Sequence, residues 1–454
     1  RKIQISAARH ALLKNPATRD LVGATLPVQM PDTLGPDTPA PLSLEAGARC
    51  ERQPTRKCLL SIAAVTATRI ARLDYRDWAN RDIVQTLAGL GRFDEARNTI
   101  KQITDPRLTI VSLRETAVAL AHGGLLSTAE KVARMIPDPA NRARAFAAIA
   151  AEYARISRMT LAAETASAMQ REFQSIPDKL TVADIAADIA MRLARYGATS
   201  LSKSILRDVR KSLANLPDDD NQRAVSSVLA TGYARIGSLA EAQAILDPFE
   251  ISAKQLMYLA TVEYLTEGGE IEQAIATIQH LRQPRHYVTA MYHIAKAQAK
   301  AAETENARAT LRRAMNAVTD IERPFAVNIA LTRIAEVWIY TADFEDARKT
   351  LQKIGDHVLR ARSFWNLAAT ARKLGFVKHA DALKLTASKV TNEIPGAFDR
   401  TATLIHATQL AFRSNQRDAA RRMFQRALRD ANSIRSAWWR ARIYARLAAT
   451  LPAL

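Results

Sequence analysis

One short pattern constrains the fold of this 454-residue chain more than any other feature. A small residue is followed, five positions later, by alanine or serine, and ten such copies lie between residues 91 and 419. We call the second residue of each copy the anchor; the anchors are Ala96, Ala129, Ala162, Ser202, Ala242, Ala274, Ala307, Ala347, Ala380 and Ala419. Their separations are 33, 33, 40, 40, 32, 33, 40, 33 and 39 residues. Periods of this length are the signature of a repeat protein.

The two repeat lengths differ by about seven residues, which is close to two turns of α-helix. In short repeats proline follows the anchor by 8 or 10 residues, at Pro106, Pro137, Pro139 and Pro284. In long repeats the interval is 15 or 17 residues, ending at Pro177, Pro217, Pro324 and Pro395. Because proline cannot continue a helix, the long repeats are predicted to carry a longer second helix.

Two further columns support this register. The residue twelve before each anchor is alanine in eight copies and valine in the other two, and the residue four after it is apolar in nine. The exception is Lys384, whose neighbours Leu383 and Leu385 allow a local shift of that helix. Small residues permit a close helix crossing, and the larger apolar residues fill the space beside it.

The run from Leu90 to Ala96 resembles the tetratricopeptide repeat, and similar runs occur at 236–242 and 343–347. The resemblance covers roughly residues 73 to 447, although the family's aromatic positions are mostly not aromatic here and the long repeats exceed its 34 residues. It implies an all-α, right-handed superhelical solenoid of about ten helix-turn-helix repeats of 33 and 40 residues. It implies no particular class of ligand.

Composition separates the ends from the repeats. Residues 1–47 are predicted to form a basic N-terminal segment with a proline-rich linker or strap, and residues 48–72 a cysteine-containing capping helix. Residues 73–433 form the repeat array, and residues 434–454 a C-terminal capping helix. The chain has only 15 Gly and 17 Pro, which favours helix over sheet.

A basic groove is the first predicted binding surface. In tetratricopeptide-like stacks the first helices line the inner surface, and the residue seven before the anchor points into it. Five of the ten residues in this column are Lys or Arg, and two arginines lie fifteen before their anchors. The predicted groove residues are Arg81, Arg114, Arg155, Arg195, Arg235, Lys300, Lys373 and, as either a packing residue or a contact, Trp365. They suit an acidic helix, tail or peptide, unless they simply extend into water.

The C-terminal region supplies a second basic surface. The formal net charge is +20, and residues 413–446 hold 10 Arg, no Lys and 2 Asp. We predict a docking surface formed by Arg417, Arg421, Arg422, Arg426, Arg429, Trp438, Trp439 and Arg440. Arginine suits bidentate contacts with carboxylate or phosphate, so an anionic membrane surface is an alternative partner to protein. A solvated helix face is the plain alternative.

Cys50 and Cys58 are the only cysteines, and they are predicted to form a disulfide, with two free thiols as the alternative. Structural zinc needs four ligands, so no metal is expected. A disulfide favours a periplasmic or otherwise exported protein over a cytoplasmic or organellar one, and the start at Arg1 is compatible with processing. No run of apolar residues is long enough to cross a bilayer.

Catalytic motifs are missing from the sequence: there is no phosphate-binding glycine loop, nucleophile elbow or zinc-protease histidine motif. We therefore expect neither an enzyme nor a cofactor, but a scaffold or adaptor subunit that binds other proteins. The alternative is a helical-repeat protein that binds single-stranded RNA. Unequal repeat lengths and few aromatic residues disfavour nucleic acid.

Overall fold

The computed structural model describes residues 2–22, 50, 52–212 and 220–451, and within them all regular secondary structure is helical. Before the repeats come α1 (Lys2–Lys14) and α2 (Arg56–Ala67), and the last helix is α23 (Ala437–Thr450). The first helices of the ten repeats are α3 (Leu73–Gly89), α5 (Pro106–His122), α7 (Pro139–Arg155), α9 (Lys179–Arg195), α11 (Asp220–Arg235), α13 (Ile251–Glu267), α15 (Pro284–Lys300), α17 (Pro324–Tyr340), α19 (His357–Lys373) and α21 (Ala397–Arg413). The second helices are α4 (Phe93–Ile100), α6 (Leu126–Met135), α8 (Met159–Glu172), α10 (Thr199–Ser212), α12 (Leu239–Leu246), α14 (Ile271–Ile278), α16 (Thr304–Ala317), α18 (Phe344–Gln352), α20 (Val377–Asn392) and α22 (Arg417–Asn432). The all-α, tetratricopeptide-like fold of about ten helix-turn-helix repeats is confirmed.

The difference in repeat length resides in the second helix, as predicted. First helices have 16 or 17 residues in every repeat. Second helices have 8 to 10 residues in the short repeats and 14 to 16 in the long ones. The extra turns therefore extend the second helix and leave the first unchanged.

Two residues after each first helix, the chain has a residue with left-handed backbone. In six repeats that residue is glycine, and in the other four it is Ser157, Ala302, Ala342 or Asn415. In the first repeat Gly91 N donates to Ala88 O and the next amide donates to Leu87 O, both at 2.9 Å. These bonds satisfy the last carbonyls of the helix and reverse the chain into the second helix.

The predicted columns lie in the core. The anchors of the first nine repeats are at most 2% exposed, and Ser202 Oγ donates to the carbonyl of Ala190, twelve residues earlier, at 2.8 Å. Leu383, rather than Lys384, occupies the apolar position of the ninth repeat, since it is 5% exposed.

The predicted register of the tenth repeat is wrong by one residue. Its left-handed residue is Asn415, so the anchor is Ala420, which is fully buried, and not Ala419, which is 7% exposed. With this correction the last separation becomes 40 residues, equal to the other long repeats.

The chain divides into two compact units: residues 1–176 with 395–454 form the first, and residues 177–394 the second. Within the first unit, α23 packs against α2 and α3, helices from the opposite end of the sequence, and also against α21. The sequence predicted that α2 and α23 would each cover a separate end of the array. In the structure they form a pair with each other.

This pair has the features of a repeat. Arg440, the fourth residue of α23, directs its Nη1 to the carbonyl of Ile434 six residues earlier, as Arg142 does to Ile136 in the third repeat. In α2, the fourth residue is Leu59, and it is fully buried together with Ala63 four residues on, matching the anchor column. The last helix thus supplies the first half of a composite repeat, and α2 supplies its second half.

The N-terminal helix α1 packs on α5 in the same unit. Leu12, Thr18 and Leu21 are fully buried, and Asn15 Nδ2 donates to the carbonyl of Met135 at 3.0 Å. An open cleft of about 470 Å³ remains between α1 and the start of α5 and α7.

A disulfide joins Cys50 to Cys58 in the first turn of α2, which confirms the predicted pairing. Thr55 is the N-cap of α2, and its side chain accepts a hydrogen bond from Cys58 N at 3.1 Å. The proline-rich stretch from 25 to 47 lies outside the described residues. No helix in the described part of the chain has the length and apolar character needed to span a membrane.

Candidate protein-binding surfaces

The first helices of the first unit carry paired charges where the sequence indicated positive ones. Glu115 on α5 accepts hydrogen bonds from Arg81 Nε at 2.7 Å and from Gln85 at 2.8 Å, and it lies 3.6 Å from Arg114. Arg114 also donates to Asn141 on α7 at 2.8 Å. Because Glu115 neutralises part of this charge, Arg81 and Arg114 do not form a purely basic lining.

The next basic residues along this face are also paired with a carboxylate. Arg155, at the exposed end of α7, lies 2.6 Å from Glu152, and His122 approaches the same carboxylate at 3.7 Å. In the first unit the first-helix face therefore alternates in charge.

A denser network lies in the second unit, on α15 and α17. Lys296 Nζ donates to Glu336 at 2.8 Å and to the hydroxyl of Tyr292 at 2.9 Å, and that hydroxyl donates to Glu336 at 3.2 Å. The ammonium also lies 5.6 Å from the ring centroid of Tyr340, within cation–π range. These two helices thus present charge and aromatic surface together.

Burial and hydrogen bonding set the protonation of this network. Burial alone would lower the pKa of Lys296, but its hydrogen bonds to Glu336 and Tyr292 raise that pKa above the ordinary lysine value. Burial raises the pKa of Tyr292 as well. The lysine is therefore charged and the phenol neutral at physiological pH.

Glu263 on α13 extends the network to a third helix. Its carboxylate lies 3.3 Å from His293 Nε2. Burial alone would raise the pKa of Glu263, but the hydrogen bond from His293 and the charges of His293, Arg235 and Arg333 lower it. We call Glu263, Tyr292, His293, Lys296, Arg333 and Glu336 the inner-face network. Sequence reasoning placed none of the six among the binding residues, because it followed one column and the network lies one and two turns before that column.

The remaining predicted groove residues are exposed, with one exception. Arg195, Arg235, Lys300 and Lys373 lie at the exposed ends of their first helices. Trp365 does not line a groove: it is 5% exposed, and its Nε1 donates to Thr391 Oγ1 on α20 at 3.0 Å. Thr391 lies in the part of α20 found only in long repeats, so the extra turns bury this indole.

The predicted C-terminal docking surface divides into two groups. Arg417, Arg421, Arg422 and Arg429 are exposed on α22, and Arg426 is half-buried there. Arg440 is 1% exposed and belongs to the core, so its assignment to a docking surface is wrong.

Trp438 and Trp439 also face inward, toward neighbouring helices of the first unit. Trp438 stacks on Tyr75 of α3 with ring centroids 4.4 Å apart, and Trp439 packs on Phe398 of α21 at 4.1 Å. Two arginines of α23 approach Asp82 of α3: Arg442 at 2.8 Å and Arg446 at 3.5 Å. Asp82 is 7% exposed, and with Arg442 it forms a partly buried ion pair that fixes α23 to α3.

No group of three or more metal-ligating side chains occurs among the residues that the structure describes. The first-helix faces present alternating charges, hydroxyls and aromatic rings. Contacts with such groups provide specificity in binding.

No protein-family model matches the sequence, and a search of curated proteins finds no match. Among solved structures, Ton1535 from Thermococcus onnurineus NA1 matches at 16% identity with a TM-score of 0.31, over 71% of this chain and 97% of that chain. The human IFIT1 dimer with PPP-AAAA matches at 13% identity and TM-score 0.28, over 85% of this chain and 94% of that chain. The same protein with m7Gppp-AAAA matches at 15% identity and TM-score 0.28, over 93% of this chain and 94% of that chain.

Proposed function

We propose that this chain is a non-catalytic scaffold or adaptor that binds segments of other proteins on the first-helix faces of its repeats. The observation that carries the proposal is the inner-face network, in which three successive first helices present interlocked charges beside aromatic rings. A binding segment with charges of both signs can exchange its own ion pairs for those of the network. The sequence alone indicated an acidic partner, but a purely acidic segment would meet the carboxylates of the network as well as its basic groups.

The exposed basic residues beside the network offer the sharpest test of this binding surface. Arg235 and Lys300 lie at the exposed ends of α11 and α15, and Arg235 is close enough to influence Glu263. The native partner is identified by cross-linking and then purified. We predict that Arg235→Glu with Lys300→Glu weakens its binding by more than about tenfold at low salt. The matched control, Lys203→Glu with Lys211→Glu on the second helix α10, makes the same change in net charge and should leave affinity unaltered.

The partner is first identified by cross-linking in cells that express the chain, with lysine-reactive reagent and mass spectrometry. Cross-links from Lys300 and Lys373 to one protein support the proposal when the Lys373 cross-link is lost in the charge-reversed variant, which itself lacks Lys300. Equal loss of affinity in both variants, or turnover of a substrate by the purified chain, contradicts it. Retention of single-stranded RNA at about 50 mM salt, abolished by Arg235→Glu with Lys300→Glu, would establish the nucleic-acid alternative instead.

The disulfide supports an oxidising location, and we propose export on that ground. Mass measurement of the chain from its native source, alkylated with and without reductant, tests this. Free thiols in the native material would contradict it.

A further inference from the structure

The arginines of the C-terminal region differ in whether they are buried, paired with an acid or exposed. Of the ten between 413 and 446, Arg440 is buried and two, Arg442 and Arg446, point to Asp82. Six others are exposed on or beside α22: Arg413, Arg417, Arg421, Arg422, Arg429 and Arg435. These six are the exposed arginines of the region, and we call them the α22 arginine surface.

Little negative charge offsets this surface. Asp418 is the exposed acid on α22, and it lies 3.8 Å from Arg421. Asp430 is engaged by Arg400 of α21 at 2.9 Å. The arginines of α22 therefore act as a set of like charges held on one rigid helix.

A second helix of the first unit has the same sign. Both α22 and α2 pack against α23. Residues 52–72 contain five Lys or Arg and no Asp or Glu, and Arg52, Arg56 and Lys57 are exposed. The composite repeat thus adds a second basic helix to the same unit, although some 350 residues separate the two helices in the sequence.

We propose that the α22 arginine surface docks this protein on an anionic phospholipid bilayer. Guanidinium groups form bidentate hydrogen bonds with phosphate, and a polybasic surface binds anionic headgroups without a pocket.

The surroundings of the arginines favour a bilayer over other polyanions. Of the exposed large hydrophobic side chains in the described residues, none lies on α22, so the apolar centre of a protein interface is missing. Aromatic platforms for unpaired bases are missing from its exposed face as well. The α22 arginine surface is distinct from the inner-face network, so the membrane proposal and the protein-binding proposal can fail independently.

The test compares three full-length proteins in vesicle flotation. The vesicles are pure phosphatidylcholine or phosphatidylcholine with about 30% phosphatidylglycerol. The test variant is Arg417→Glu, Arg421→Glu and Arg422→Glu. The control is Lys203→Glu, Arg207→Glu and Lys211→Glu on α10, which makes the same change in net charge at exposed positions of the second unit.

We expect wild type and control to float with anionic vesicles only, and to be released as salt rises above about 300 mM. The test variant should bind at least about 100-fold more weakly. Should the three Glu substitutions disturb folding, seen as a lower melting temperature, Arg417→Gln, Arg421→Gln and Arg422→Gln replaces them and should still lose most of the binding.

Three outcomes overturn the proposal. The first is failure of the wild type to float with anionic vesicles. The second is equal loss of binding in the test and control variants, which assigns the effect to total charge. The third is retention of a duplex DNA of random sequence that depends on the same three arginines, without flotation, which assigns the surface to nucleic acid.

Discussion

At the scale of single residues, side chains near the start of a first helix bind the chain at or beyond the end of the second helix. Gln255, the fifth residue of α13 in a short repeat, accepts at Oε1 from the amides of Arg282 and Gln283, which follow α14. Arg400, the fourth residue of α21 in a long repeat, donates to Asp430 near the end of its own second helix at 2.9 Å. Asp430 lies in the two extra turns of α22, so this ion pair depends on the longer second helix.

Asp77 occupies in the first repeat the position that Gln255 occupies in the sixth, and its contribution to stability can be measured. It is 2% exposed and accepts from Thr104 N at 3.0 Å, Thr104 Oγ1 at 2.7 Å and Asp105 N at 2.8 Å. We predict that Asp77→Asn lowers the free energy of unfolding by about 1 to 3 kcal/mol, because the amide leaves a buried donor without its acceptor. Urea denaturation of the two proteins measures the difference, and equal stability would contradict these bonds.

The pH dependence of that difference has a defined sign. Burial raises the pKa of Asp77 above its ordinary 3.8, although hydrogen bonds from Thr104 and Asp105 oppose the rise. The native state therefore holds the proton more tightly than the unfolded chain, and the contribution of Asp77 to stability falls as pH rises between the two pKa values. The advantage of wild type over Asp77→Asn should shrink from about pH 4 upward and then level off. An advantage that grows over this range would contradict the raised pKa.

At the scale of elements, the reversal between paired helices depends on one left-handed residue. For most residues this conformation costs about 1 to 2 kcal/mol, whereas glycine adopts it freely. Ala302 has φ of 63°, and Gly269, at the same position of the preceding repeat, has φ of 82°. A methyl group added to Gly269 would have no atom beyond its chain neighbours within 4 Å, so only backbone conformation distinguishes the two residues there.

The two positions predict opposite effects of exchanging glycine and alanine. Ala302→Gly should raise the free energy of unfolding by up to about 1 kcal/mol, and Gly269→Ala should lower it by about 1 kcal/mol. Thermal or urea unfolding of both variants checks this. Effects of the same sign would show that side-chain packing, not backbone conformation, governs the turn.

Most elements follow from the sequence, since anchors, prolines and apolar columns are local signals that recur along the array. The tenth repeat deviates because Ser414 and Asn415 are both small and polar, and only the backbone shows that asparagine takes the left-handed position. The burial of Trp365 depends on the tertiary position of Thr391, which the sequence pattern of its own helix does not encode. The inner-face network likewise depends on distances between three helices, which one column of residues does not specify.

At the scale of the whole molecule, the first unit joins the two ends of the chain. Repeat arrays need their terminal apolar faces covered. Here α23 packs against both α21 and α3, and α2 packs against α23 as the second helix of the composite repeat. The contact includes the ion pair between Arg442 and Asp82, 360 residues apart. Nothing periodic marks this pairing in the sequence, because α2 has no small-residue turn before it and helix partners so distant are not specified by local pattern.

Hydrogen exchange after removal of residues 434–454 tests this composite repeat most directly. As an alternative that keeps the full chain, Trp438→Ala with Arg442→Ala weakens the same contact. We predict that amide protection falls by at least about tenfold in residues 56–67 and 73–89, far away in sequence, while residues 284–340 of the second unit stay protected and report that the rest is folded. Unchanged protection of residues 56–89 in both proteins would contradict the pairing of the first and last helices.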